Sequence, residues 1–351
     1  MPNRRRYRLL DLFAGCGGLT QGFVGTGRFR PVGAVEKDRE AAATYALNFG
    51  EHVHVGDVTH WSSGSLPLAD VVVGGPPCQG FSLLGHRKAT DPRNRLWTQY
   101  VRVLQRIRPA FFVIENVPQF LDGSEYVELL EETGPRGSLR EWEIESMVLN
   151  AAQYGVAQTR KRAFVLGRPT GMRPLGPPRE TSSRVLSEVL AGVEPIVTRS
   201  RLPESHIEVI GLRVPGAFKT AELHVVPEAS PVSLARYAAI KPGGGRHDLP
   251  EHLKMPAWQG SYTGASDVMG RLRWDKPTVT IRTEFFRPEK GRFLHPDQDR
   301  PLSHYEAALV QGFPESYLWC GSRGSIARQI GNAVPVPLAE AVAAHLLQHL
   351  A

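Results

Sequence analysis

The sequence predicts a doubly wound, Rossmann-like α/β sheet joined to a second, smaller, loop-rich β domain. Two observations carry the sheet: short apolar runs alternate with helix-patterned stretches through the first half, and several runs end in glycine-rich or acidic turns. The third is a change of texture near Pro169, after which Pro, Gly and Ser dominate as far as Trp274. With 351 residues, 41% of them hydrophobic and 22% charged, the chain can bury one large or two modest cores.

The strands are expected over 7–13, 32–36, 53–55, 70–73, 111–115, 143–149 and 163–167, with helices over 39–49 and 96–106 between them. The first strand runs into Asp11-Leu12-Phe13-Ala14-Gly15-Cys16-Gly17-Gly18, and a helix is expected from Leu19. Beyond Pro169 only short β-like pieces are expected, at 207–212 and 222–226, with a glycine run at Gly243-Gly244-Gly245. A terminal helix over 337–350, preceded by a turn at Gly331-Asn332, returns to the first domain. The resulting division is 1–172, 173–330 and 331–351.

No apolar run approaches the ~20 residues of a membrane span, and Asp11 interrupts the only signal-peptide candidate, so a cytoplasmic protein is expected. Cys16, Cys78 and Cys320 are isolated, which argues against a disulfide framework. His52-x-His54 is too small a set for a metal centre, and no metal is expected. The formal charge is +7, and Arg87, Lys88, Arg93, Arg95, Arg102, Arg106 and Arg108 lie in one stretch opposed only by Asp91. Such a run is usually a solvated helix face. Placed directly after Cys78, it points to a phosphate backbone.

The glycine turn after the first strand admits a nucleotide-like ligand close to the backbone. A dinucleotide fingerprint G-x-G-x-x-G counted from Gly15 fails at Thr20, whereas an S-adenosylmethionine site needs the close approach without a pyrophosphate. Glu36 ends the second strand, where a carboxylate accepts ribose hydroxyls in either class. Asp57, after the third, is placed for an adenine amino group. On their own these are compatible with an ordinary tight turn.

Pro76-Pro77-Cys78, between Gly74-Gly75 and Gln79-Gly80-Phe81-Ser82, holds a thiol rigidly beyond the carboxyl end of a buried strand, where open α/β sheets bind ligands. Glu115 emerges from the apolar strand 111–114 at the same sheet edge, where desolvation raises a carboxyl pKa. In Gln158-Thr159-Arg160-Lys161-Arg162 an extended backbone puts 158, 160 and 162 on one face, so two guanidiniums can reach phosphate or carbonyl oxygens. Gln329-Ile330-Gly331-Asn332-Ala333-Val334-Pro335 forms a turn placed to close over a cofactor.

In this order the motifs resemble those of the DNA (cytosine-5)-methyltransferases. They are Asp11 to Gly18, Glu36, Asp57, Gly75 to Ser82, Glu115 to Val117, Gln158 to Arg162, Pro301 to Pro314 and Gly331 to Pro335; only residues 173–270 lack a counterpart. The resemblance implies that Cys78 adds to carbon 6 of a flipped-out cytosine, Glu115 stabilises the ring nitrogen, and Arg162 touches the base with Arg160 in support. It implies S-adenosyl-L-methionine as cofactor, held by Phe13 on the adenine with Gly15, Gly17, Gly18, Glu36, Asp57, Pro77 and Asn332. Double-stranded DNA would be met by Gln79, Ser82, Arg87, Lys88, Arg93 and Arg95 on a loop that closes over it. Where the family commonly has arginines, Tyr305 and Leu309 stand, which bears on docking of the recognition domain. A monomeric bacterial modification enzyme is implied, with room for a cognate restriction endonuclease and no membrane. A transfer-RNA methyltransferase of the same family, a silent DNA-binding regulator and a dinucleotide oxidoreductase remain as rivals. The DNA sequence recognised is not legible.

Overall fold

A computed structural model describes residues 5–77, 94–258 and 267–350. Among them the main sheet is built from β1 (Tyr7–Leu12), β2 (Phe29–Glu36), β3 (Val53–Val55), β4 (Val71–Gly74), β5 (Phe111–Asn116), β6 (Trp142–Asn150) and β7 (Lys161–Pro169). Their order is β3-β2-β1-β4-β5-β7-β6, parallel from β3 to β5 and antiparallel at β7 and β6. Strand order therefore reverses between β1 and β4, and the crevice over their carboxyl ends is the expected ligand position.

The apolar runs make these strands central because both faces are covered. Leu9, Val71, Val73, Phe111 and Val113 pack under α1 (Gly18–Gly25) and the terminal helix, while Leu10, Leu12, Val72, Phe112 and Ile114 pack under α4 (Asn94–Ile107) and α5 (Ser124–Glu132). Register at the β1–β4 start is pinned by Asp70, which accepts from the Arg8 backbone N–H at 2.7 Å and from its guanidinium at 2.9 Å. Helix α2 (Arg39–Phe49) begins where Asp38 caps the Glu40 and Ala41 N–H groups. The short α3 (Val58–Trp61) is capped by Asp57.

Some boundaries differ from the sequence reading. β2 starts three residues before Val32, because Pro31 sits at a register shift where its missing N–H is tolerated. The piece at 207–212 is a hairpin: β8 (His206–Val209) turns through Ile210 and Gly211, both at positive φ, into β9 (Leu212–Pro215). Around 222–226 there is a 3₁₀ turn, Thr220–Leu223, and a single bridge from Val225 to Arg199. After α6 (Leu186–Val189), β10 (Phe218–Lys219), α7 (Pro231–Ala238), α8 (His304–Val310) and β11 (Leu318–Trp319), the end of the chain is two helices. Gln329 to Asn332 form the last turn of α9 (Arg323–Asn332), not an opening turn, and Pro335 and Pro337 restart the chain as α10 (Val336–Leu347). Helix α10 crosses α1 at Gly22, where a Cβ would lie 2.4 Å from that of Ala339.

Taken as one stretch, Arg323–Leu347 has the length and apolar content of a membrane span, which the sequence reading did not anticipate. It is broken at 333–335, and 67% of its most apolar window is buried in the protein, as in a core helix.

A second apolar core, with Leu186, Phe218, Phe285, Phe293, Phe313 and Trp319, packs on α8 and α9. Beside it the buried Glu306 carboxylate takes both Arg300 Nη atoms at 2.7 and 2.8 Å and the Ser303 N–H at 2.7 Å. Burial pushes the carboxyl up, but Arg300 and Ser303 hold it below its ordinary range. Glu306→Ala is expected to cost about 3–5 kcal/mol in urea unfolding at neutral pH, since it strands a buried guanidinium. The wild-type contribution disappears as pH falls through the depressed carboxyl pKa. A cost below about 1 kcal/mol would mean that the Pro195 and Pro301 carbonyls, which also accept from Arg300, suffice for its guanidinium.

Candidate active site

The ends of β1, β2, β3, β4 and β5 open into one cavity of about 520 Å³, an ordinary size for a small-molecule site. Its walls are the turn after β1, Glu36, Asp57, residues 75–77 and 115–117, and the α9–α10 junction from Arg328 to Val334.

The turn shapes one half. Phe13 lines the cavity at φ +60°, a left-handed conformation costing a non-glycine residue roughly 1–2 kcal/mol. Strain of this kind gathers at ligand sites. A Cβ on Gly15 would meet nothing within 4 Å, so the backbone there faces open cavity. Gly17 does not line the cavity; its Cβ would meet the Phe49 ring at 2.4 Å, so packing on α2 demands that glycine. Gly18 is required by the α9–α10 junction, with the Val334 carbonyl 2.7 Å from a Cβ. Glu36 holds the turn through Oε2, which accepts from the Gly15 N–H at 2.7 Å, while Oε1 accepts from Asp38 N–H at 2.7 Å. Burial nonetheless raises its pKa. Asp57 accepts from the Thr59 N–H at 2.9 Å and lies 3.5 Å from Lys37 Nζ. The Thr59 contacts, ahead of the Lys37 charge, hold its pKa down.

Asp11 lies at the floor of this half. Thr20 Oγ1 donates to its Oδ2 at 2.7 Å, and its buried Oδ1 has no partner. Burial lifts the carboxyl to about 7.

The other half holds a buried ion pair. Antiparallel β5 and β7 bring Arg162 Nε to 3.0 Å from Glu115 Oε1. Burial raises the Glu115 pKa, and the Arg162 and then Arg160 charges pull against it. Gly75 leaves room for this carboxylate, since a Cβ would lie 3.1 Å from Oε2. Asn116 Nδ2 donates to the Pro76 carbonyl at 3.0 Å, fastening residues 76–77 to the end of β5.

Glu115, Arg162, Pro77, Asn332, Phe13, Gly15, Gly18, Glu36 and Asp57 thus share one cavity. Arg160 lines it too, but not as a second free guanidinium. Its Nη1 donates to the Ile281 carbonyl at 2.9 Å and its Nη2 to that of Gly331 at 3.0 Å, because segment 278–281 packs along this strand end. Gln158 is bound beside it, to Gln311 at 2.8 Å and the Ile281 N–H at 2.9 Å. The expected contacts Cys78, Gln79, Ser82, Arg87, Lys88 and Arg93 lie outside the described residues, as does the side chain of Arg95. Arg106 and Arg108, at the carboxyl end of α4 and so at the far edge of the sheet, are satisfied by the Ser62 and Gly64 carbonyls and by Glu141. Cys16 and Cys320 are buried, and desolvation pushes both thiols up to about 12.

Sequence reasoning passed over Asp11 and Asn116 as individual site residues. Asp11 had a signal, an acid inside an apolar strand. Asn116 had only its adjacency to Glu115.

Sheet order, cleft position and the buried carboxylate–guanidinium pair define a doubly wound α/β protein with a ligand-sized cleft at the carboxyl ends of its strands. A model of the C-5 cytosine-specific DNA methylases matches residues 7–190 and 243–348. The chain belongs to that family and is a DNA (cytosine-5)-methyltransferase. It is 33% identical to the type II methyltransferase M.DdeI of Desulfomicrobium norvegicum, over 95% of this chain and 87% of that one. To M1.HphI of Haemophilus parahaemolyticus it is 32% identical, over 97% and 86%. In fold it is similar to a protein assigned as a DNA modification methyltransferase of an E. coli prophage, with a TM-score of 0.70, 22% identity and coverage of 97% and 99%. It is also similar to the Dnmt2 methyltransferase of S. pombe, with a TM-score of 0.60, 17% identity and coverage of 98% and 99%.

Proposed function

We propose that the chain methylates carbon 5 of a cytosine within a short sequence of double-stranded DNA, after Cys78 has added to carbon 6 of a base rotated out of the helix. One observation supports this above others: a single cavity joins the Phe13–Glu36–Asp57 wall to the Glu115–Arg162 pair and is bordered by Pro77, the neighbour of Cys78. A cofactor and a reacting base placed at its two ends are within reach of each other.

The residues fit S-adenosylmethionine. Its adenosine would lie between Phe13, Glu36 and Asp57, with its backbone-facing edge on Gly15. When bound, it supplies an electrophilic methyl on a sulfonium, which leaves as a neutral thioether once carbon 5 has taken the methyl. Everything else falls to the chain. The Cys78 thiolate adds to carbon 6, which breaks the ring's conjugation and makes carbon 5 nucleophilic. Glu115 shares its proton with the ring nitrogen that gains electron density, and Arg162 holds the carboxyl and the base edge together. Loss of the carbon 5 proton to water then drives the electron pair back and expels the thiolate, and the ring nitrogen returns the shared proton to Glu115.

Extruding the base costs a few kcal/mol, which cationic side chains after Cys78 offset through phosphate contacts. Residues 173–330 would form the target-recognition domain. The family model leaves 191–242 unmatched, as suits a segment that differs with the sequence read. The relatives' names place them in type II modification, which supports work beside a cognate endonuclease; a monomer in the bacterial cytoplasm belongs to the same reading.

The test is transfer of a labelled methyl from S-adenosylmethionine to duplex DNA, with bisulfite sequencing to locate the product. One cytosine in one short site should be protected from conversion. Label found only in RNA, or no transfer, would overturn the reading.

A further inference from the structure

We propose that the β8–β9 hairpin serves the cofactor site and reads no DNA: Leu212 and Val214 brace helix α2, and through it the Glu36 carboxylate. The inference rests on the reading that the cavity takes S-adenosylmethionine. It takes residues 206–215 out of the part of 173–330 that would read the duplex.

The hairpin lies within the stretch 191–242 that the family model leaves unmatched, so the family's motifs assign it no role. Its register sets Ile207 opposite Val214 and Val209 opposite Leu212, which gathers four apolar side chains on one face. That face packs on α2, in one apolar cluster with Ala42, Ala43, Tyr45 and Ala46. Val209, Leu212 and Val214 are buried there. A two-stranded ribbon is marginal alone, so this contact is what holds it. On the opposite, exposed face Glu208 stands directly across from Arg213, and the two charges offset each other. A surface that tracks phosphates needs an excess of cations. Among the described residues, a separate apolar core with Tyr237, Leu249, Trp258 and Leu294 includes no residue of the hairpin.

The root of the hairpin is tied to α2 as well. The Gly321 N–H donates to the Pro215 carbonyl at 2.8 Å, and the residues just before Gly321 grip the helix. Leu318 exchanges two hydrogen bonds with the Asn48 side chain, at 2.8 and 3.0 Å, and the Cys320 N–H donates to Thr44 Oγ1 at 2.8 Å. From α2 the path to the ligand is short. Ala41 on the helix and Asp38 at its cap both line the cavity. The Asp38 N–H donates to Glu36 Oε1, and Glu36 Oε2 accepts from the Gly15 N–H, each at 2.7 Å. A shift of α2 therefore moves the carboxylate and the glycine turn together.

The test pairs calorimetric titration of the full chain with S-adenosylmethionine and methyl-transfer kinetics on duplex DNA, with bisulfite sequencing of the product. Leu212→Ala opens a gap under α2 and should raise the cofactor Kd and KM by about threefold or more. The kcat at saturating cofactor, the Kd for DNA and the cytosine methylated should stay as in wild type. General destabilisation removes active molecules, so it lowers kcat without moving KM; that outcome overturns the inference. Leu212→Met refills the volume and restores wild-type affinity. Val214→Ala, a smaller deletion, gives the same split should Leu212→Ala not fold. Arg213→Ala, on the exposed face, leaves DNA affinity and its salt dependence unchanged. A weakened duplex complex or a shifted methylation site in that variant would make the hairpin a reader and overturn the inference, as would an unchanged cofactor Kd in both apolar variants. A wild-type chain that takes up no S-adenosylmethionine removes the cofactor reading itself, and this inference with it.

Discussion

Replacing Cys78 by serine is expected to abolish DNA methylation while leaving S-adenosylmethionine binding intact. A thiol of ordinary pKa, ~8.5, is a few per cent thiolate at pH 7, and any cation near it enlarges that fraction. A serine hydroxyl supplies almost no alkoxide at that pH. Sulfur matters a second time, because the covalent bond must break once the carbon 5 proton has gone, and a thiolate leaves far more readily than an alkoxide. Loss of the nucleophile should therefore cost about 10⁴-fold or more in kcat. What the structure contributes is the support just before Cys78: Gly74 packed against the Leu12 carbonyl, Pro76 tied to Asn116, and Pro77 on the cavity wall. Since the cofactor's floor and far wall are built from other elements, calorimetry should find its Kd unchanged. A 5-fluorocytosine duplex should trap the wild-type chain in a denaturant-stable adduct and fail to trap Cys78→Ser. Turnover retained by the serine variant would remove Cys78 from the mechanism.

The sheet was legible because its strands are self-announcing. Val71, Val72 and Val73 are fully buried on both faces, and such runs need no partner to be recognised. Helix 39–49 was legible to the residue, since Asp38 caps it and Gly50, at φ +109°, ends it. Where local signals conflict, the reading erred. Pro31 hid the start of β2 because a breaker and a bulge look alike along the chain. Ile210-Gly211 went unread as a turn because isoleucine is rarely found at positive φ. The motif residues were legible as types, yet their relations were not. Glu115 and Arg162 meet through the antiparallel β5–β7 register, and Arg160 is held by carbonyls of Ile281 and Gly331, more than a hundred residues away. No local pattern encodes such distances. Asp11 and Thr20 were missed for a different reason: the threonine was scored as an absent glycine, so its own hydroxyl was never assigned a partner.

Glu115→Gln is expected to lower kcat by about 10²–10⁴-fold, the usual worth of a positioned proton donor, with little change in cofactor Kd. The variant keeps the shape of the side chain and can still donate a hydrogen bond, so the loss isolates proton sharing from contact. Burial raises the Glu115 carboxyl, and Arg162, 3.0 Å away, is the larger of the two charges that pull it back. The sign of the pH response follows. A raised carboxyl that must carry a proton makes the wild-type rate fall as pH climbs through its titration, and glutamine, with no proton to lose, removes that alkaline limb. Arg162→Met should displace the limb upward instead, because desolvation then acts against Arg160 alone. The two variants both slow the reaction, but only the methionine keeps a titrating group, so their pH profiles diverge even where their rates do not. If Glu115→Gln stays within about tenfold of wild type, the carboxyl is a hydrogen-bonding anchor for the base and the proton reaches the ring from solvent.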